Sequence, residues 1–295
     1  MTMTYDGRSR LTPTYEVGAL PPEQFETEYC DNLMRVWLEH MPQVGPPEAL
    51  DPPDAQLFHG TYLKYFSFFA WKFPSWLMAV ASQCPYQDVR REIIRDCVDE
   101  EVGDPDADGQ CHIDILYDEA EACGVSREGI YDASPTPAIL AAIHAFENLS
   151  RTLGWLPGFS AVAALEIGQS EPAIRARERL TTPQQAAAYA EAFGGRAFHE
   201  RLGLPEESLK FFAHHAYKDR FHGGGELRLL VKYANTSALQ REALWAASAS
   251  LQIMGLMTQE IVRLAHEAIG LEPDRTFMTQ VPSVQASQIP PAPRT

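Results

Sequence analysis

Apolar side chains recur every third or fourth residue along most of this chain, and no stretch alternates with the period of two that a half-buried strand requires. Residues 23–41 place Phe25, Tyr29, Leu33, Val36 and Trp37 on one helical face. After a Pro-rich break at 42–53, a second helical segment spans 55–82. It is unusually aromatic (Phe58, Tyr62, Tyr65, Phe66, Phe69, Trp71, Phe73, Trp76), and Pro74 should kink it. Further helices are expected at 87–101, 111–123 (closed by Gly124), 137–151, 159–168, 183–193 (Thr182 as cap, Pro183 in the first turn), from Pro205 to about His222, and 236–268. The pattern predicts an all-α chain: a single bundle of about seven or more helices over residues 23–280. An N-terminal arm would cover 1–22 and a Pro-rich disordered tail 281–295.

The charge balance removes several function classes. Forty acidic side chains against 24 Lys and Arg give the 295-residue chain a net charge of -16. Such a chain lacks the basic footprint that nucleic acid needs and would be repelled by an anionic membrane surface. The longest apolar run, 65–80, is interrupted by Lys72 and Pro74, too short for a membrane span. Five cysteines without CxxC spacing suit a reducing cytosol, so a cytoplasmic location is expected.

The sharpest chemical pattern is His215-x3-Asp219-x2-His222, which sets two imidazoles and a carboxylate on one helical face. That donor set suits iron or manganese as well as zinc, although a solvated polar face could carry the same spacing. His214 is adjacent but about 100° away on a helix. Inside a bundle the remaining ligands come from facing helices. Two places offer them: Asp99-Glu100-Glu101-Val102-Gly103 followed by His112, and Glu166, a lone acid in the apolar run 159–167. An acid with Val162, Ala163 and Phe159 on its own face is costly to bury unless paired or bound to a cation.

In this order, the aromatic segment with Phe73-Pro74, the Glu-Val-Gly…His element and the Phe211-Phe212…His215…Asp219…His222 helix resemble the haem-oxygenase-like di-iron oxidase superfamily, over roughly residues 60–221. The resemblance implies a haem-oxygenase-like bundle. One iron would be held by Glu101 and His112 with Glu166 bridging, the other by His215, Asp219 and His222. The gap between Glu101 and His112 is longer than the family's, which opens a choice between Glu100 and Glu101. Glu101 is preferred because Val102-Gly103 follows it.

The resemblance further implies a non-haem oxidase with two ferrous ions, O2 as co-substrate and an external electron donor. It would oxidise a small molecule, with an aliphatic free amino acid as the first expectation, by C–H abstraction (desaturation, cyclisation or C–C fragmentation) in specialised-metabolite biosynthesis. The alternatives are N-oxygenation on the same scaffold, or a non-oxidative hydrolase or binding protein of the same architecture. A homodimer is also implied.

Four other features carry weaker signals. Glu226, Arg228 and Lys232 could hold the two charges of an amino acid, though a solvated face explains them as well. Gly223-Gly224-Gly225 reads as a break or labile hinge. The run Asp104-x-Asp106-x-Asp108-Gly109 opens like a calcium loop, but Ile115 stands where the bidentate acid is needed, so an exposed acidic loop is expected. Cys111 beside His112 is a weak nucleophile candidate, since neighbours on a helix diverge.

Overall fold

The computed structural model describes residues 13–41, 50–182 and 200–271. Among these, all regular structure is helical: α1 Pro22–His40, α2 Pro52–Ala70, α3 Phe73–Gln83, α4 Gln87–Glu101, α5 His112–Ala122, α6 Arg127–Tyr131, α7 Pro137–Thr152, α8 Trp155–Ile167, α9 Glu171–Leu180, α10 Lys210–Tyr233 and α11 Ser237–Ala268. The all-α bundle is what the apolar spacing requires. Local signals set several ends. Thr136 and Thr236 accept from the backbone N–H groups of Ile139 and Leu239, and Pro137 occupies the first turn of α7.

Helix α8 is the axis of the bundle. Nearly every residue from Leu156 to Ile167 is buried, and α3, α7, α10 and α11 pack around it. A helix that is apolar all round must be enclosed by others. Helix α1 buries Phe25, Tyr29, Leu33 and Trp37 against α11 and α9. The aromatic segment supplies a second centre, where Trp76 stacks on Phe146 at 5.0 Å and Phe69 meets Trp76 edge-on at 5.2 Å. Such ring pairs contribute about 0.5–1.5 kcal/mol beyond the area they bury.

Two expectations change. Pro74 does not kink one long helix. The chain turns at Trp71 and Lys72, and Pro74 falls in the first turn of α3, where its missing N–H costs nothing. The glycine triplet is not a break, since α10 runs through it to Tyr233. A side chain at Gly223 would collide with the Glu166 carbonyl of α8, and one at Gly225 with the Glu92 carboxylate of α4. The glycines therefore permit close helix crossings. The described part of the arm is tied to the body: Glu16 N–H donates to the Asn235 carbonyl at 2.8 Å and Leu20 N–H to Gln240 Oε1 at 2.9 Å. The expected helix at 183–193, the tail 281–295 and residues 1–12 lie outside the described residues.

No helix among the described residues is long and apolar enough to cross a membrane.

Candidate metal centre

Helices α4, α5, α8 and α10 converge on a group of imidazoles and carboxylates. Glu100 sits in the last turn of α4, His112 opens α5, and His215 lies one turn into α10. One donor atom from each falls within 4.8 Å of the others. Nδ1 of His112 is 2.9 Å from Glu100 Oε1, and the His112 and His215 rings meet at 4.6 Å. The Glu100 side chain is 10% exposed, whereas Glu101 is exposed to solvent. The choice of Glu101 is thus corrected: one residue along a helix turns the side chain by about 100°, and Glu100 is the one that faces inward.

The surroundings shift the two imidazoles in opposite directions. His215 donates from Nδ1 to the Phe211 carbonyl at 2.8 Å, leaving Nε2 as its lone pair. Burial, and then the charge of His112, lowers its pKa to about 3, so the ring is a neutral ligand. For His112 burial alone would lower the value. The Glu100 carboxylate and the Asp104 hydrogen bond outweigh it, raising the pKa to about 9.

Asp104 corrects the reading of the 104–108 loop as wholly solvated. Asp106 and Asp108 are exposed, but Asp104 is fully buried. Its carboxylate faces His112 Nε2 at 3.2 Å, His214 Nε2 at 2.7 Å and the Lys218 ammonium at 2.8 Å, and it caps the Asp106 N–H at 2.8 Å. Lys218 also reaches Asp106 at 2.8 Å, so its ammonium bridges two acids of the loop. An acid on the far nitrogen of an imidazole fixes the ring and raises its basicity, as outer-shell carboxylates do for metal-bound histidines. The sequence pointed past Asp104 and His214 because a loop carboxylate among exposed acids shows no burial pattern.

Behind this group lies a second, more acidic one. Asp96, Glu166 and Glu226 are 2%, 6% and 0% exposed, with donor oxygens within 4.8 Å of each other. Nδ1 of His222 stands 3.7 Å from Asp96 and 3.8 Å from Glu166, and its Nε2 stands 3.4 Å from Asp99. Burial first, and neighbouring acids second, pushes Asp96 up to about 8 and raises Glu166 and Glu226 well above the carboxylate range. Asp219 is raised by burial and by Glu100.

Of the sequence-chosen residues, His112, Glu166, His215, Asp219 and His222 are brought together here. The amino-acid handle is not assembled: Glu226 is buried among acids, Arg228 is exposed, and Lys232 pairs with Asp88 at 2.6 Å. Cys111 donates to Asp114 at 3.2 Å, and burial raises its thiol, as it does the other four cysteines.

A cavity of about 130 Å³ opens beside the first group. Its lining includes Glu100, His112, Glu166, His215 and Asp219. Tyr62, Phe66, Phe69, Phe211, Phe212 and Met254 add apolar surface, and the described lining includes neither Lys nor Arg.

A family model described as iron-containing redox enzyme matches residues 61–255, a span that holds every residue of both groups. The chain belongs to this family. Its helical architecture is that of the haem-oxygenase-like superfamily. A solved structure of a TenA homologue from Pseudomonas syringae pv. tomato is similar in fold, with TM-score 0.53 and 17% identity over 86% of this chain and 98% of that one. At that identity the likeness concerns the fold. A search of curated proteins finds no match. The residues of this iron-containing redox enzyme fit iron: imidazole nitrogen beside carboxylate oxygen, with the carboxyl groups of Asp96, Glu166 and Glu226 buried close by.

Proposed function

We propose that this chain is a non-haem di-iron oxidase that uses O2 to remove hydrogen from an aliphatic carbon of a small, mainly apolar molecule, with an aliphatic free amino acid as the favoured substrate class. The observation that supports this most is that two imidazoles and three carboxylates line an aromatic-walled cavity. Glu100, His112 and His215 would hold one iron, with Glu166, Asp219 and His222 beside a second. Bound ferrous ions supply the electrons for O2 reduction and the oxidising power for cleaving an unactivated C–H bond.

The chain's own residues do the rest. His215 is kept neutral by burial and oriented through Phe211, so it presents a lone pair at neutral pH. Asp104 holds the far nitrogen of His112. The rings of Phe66, Phe69 and Phe211 exclude water and position an alkyl chain against the acidic side. With no described cation in the wall, a substrate carboxylate would be drawn to a bound metal ion, which places the alkyl carbons in the aromatic half. A hydrolytic alternative lacks an activated thiol, since burial raises all five.

The test is anaerobic loading with ferrous ion followed by air, with O2 uptake screened across the twenty amino acids and short fatty acids. Stimulated uptake with a product two hydrogens lighter supports the reading. A product heavier by oxygen on nitrogen would replace it with N-oxygenation. Uptake that no compound stimulates would count against it.

A further inference from the structure

At the glycine triplet α10 lies close to the α8 backbone and to a side chain of α4, and the approach has a chemical result. Without a Cβ at Gly223 the α10 backbone lies against the Glu166 peptide of α8, and without one at Gly225 it lies against Glu92 of α4. One turn from these contacts, Asp96, Glu166 and Glu226 point at one another, sealed from solvent. Both oxygens of Glu226, Oδ2 of Asp96 and Oε2 of Glu166 are buried and receive no N–H donor, and the Glu226 and Glu166 carboxyl groups meet each other. Three carboxyl groups enclosed in this way either hold protons or share a cation, and a divalent ion would replace the protons. The nearest imidazole, His222, stands off at 3.7–3.8 Å from Asp96 and Glu166, beyond a hydrogen bond and on the open side of the trio.

We infer that Asp96, Glu166 and Glu226, with His222 at the edge, form a carboxylate-rich site for a hard divalent cation of the Mn2+ or Fe2+ kind. Asp96 and Glu226 stand outside the ligand set that the sequence resemblance implies, and they make the second metal position oxygen-rich while Glu100, His112 and His215 make the first nitrogen-rich. Oxygen ligands suit Mn2+ and ferrous ion, and imidazole adds to the pull on iron. Glu166 would then face both positions. The inference deepens the di-iron reading and rests on it only for the neighbouring position, because the trio is complete without His112 or His215.

The experiment is a titration of the metal-free full-length protein with Mn2+, with free ion counted by its paramagnetic resonance and melting followed in parallel. The wild-type protein should take up two ions. His112→Ala should keep one, and Glu226→Gln, close to isosteric, should also keep one. The double variant should keep none. Glu226→Gln should melt higher than wild type without metal, since a buried acid is gone, and gain less on adding Mn2+. Asp96→Asn should behave as Glu226→Gln does, and circular dichroism checks that each variant is helical. If Glu226→Gln and Asp96→Asn both bind as many ions as wild type, as tightly, the site is overturned. Should His112→Ala alone lose an ion in that case, the first metal position stands without it. A wild-type protein that takes up no Mn2+ also overturns the inference.

Discussion

Oε1 of Glu100 lies 2.9 Å from Nδ1 of His112, while Glu101, the next residue of the same helix, is exposed. Glu100→Gln should therefore lower the iron bound after anaerobic loading by about one ion per chain and abolish O2 uptake. Glu101→Gln should match wild type on both counts. Iron analysis with an oxygen electrode checks this, and equal loss in the two variants would place the ligand wrongly.

The contact between Gly223 and the Glu166 backbone sets a second expectation. Ala at 223 forces α8 and α10 apart. Overpacking of this sort costs about 1–3 kcal/mol, which is roughly 2–5 °C of melting temperature in a chain of this size. Because the strain falls on the peptide that carries Glu166, metal uptake should weaken as well. Gly224→Ala is the control, since only the Arg228 side chain comes near a Cβ there. A Gly223→Ala protein as stable as Gly224→Ala would contradict the crossing.

The fold was legible in the sequence because burial in a helical bundle leaves a period in the apolar residues, and the lone acid Glu166 was legible because it breaks that period. His215, Asp219 and His222 were found by their spacing on one face. Glu101 was preferred to Glu100 because sequence alone does not fix the rotation of the last turn of α4. Asp96 was missed, and Glu226 was read as a substrate handle, because an acid is the commonest residue on a solvated helix face and burial of these two shows only in the packed helices. The glycine triplet misled for a related reason: glycine both frees a backbone and admits a neighbour, and the neighbour was on another helix.

Protonation should make the metal-free protein sensitive to alkali. His112 is raised from 6.5 to about 9 and Asp96 from 3.8 to about 8, so the folded chain holds these protons more tightly than the unfolded chain. Their stabilisation is complete below the unfolded values and fades as pH rises through the folded ones. His215, lowered to about 3, acts in the opposite sense and only below about 6.5. Melting temperature of the metal-free protein should thus fall between pH 6.5 and 9. The gain on adding ferrous ion should widen over the same range, since metal and protons compete for the same atoms. A metal-free melting temperature that rises across this window would refute the assignment.

Asp104 offers a fourth test. Asp104→Ala removes a partner from Lys218, His214 and His112 at once. Breaking a buried pair costs about 3–5 kcal/mol. Asp99 and Asp106 still face the ammonium, so about 2–3 kcal/mol is expected, read by chemical denaturation. Iron affinity should drop about 10–100-fold, as when an outer-shell partner is lost. Asp104→Asn should recover part of the affinity by keeping an acceptor for the imidazole. Unchanged affinity in both variants would reduce Asp104 to a purely structural role.

Whether the buried imidazoles and carboxylates hold iron and commit it to O2 is tested most directly by loading the metal-free protein anaerobically with ferrous ion. Bound iron is counted, and O2 uptake on exposure to air is recorded for wild type and His215→Ala. Wild type should bind two irons and take up O2, and the variant should stay helical while losing at least one iron and the uptake. Less than one iron per chain in wild type, or full uptake in His215→Ala, would contradict a di-iron site at these residues.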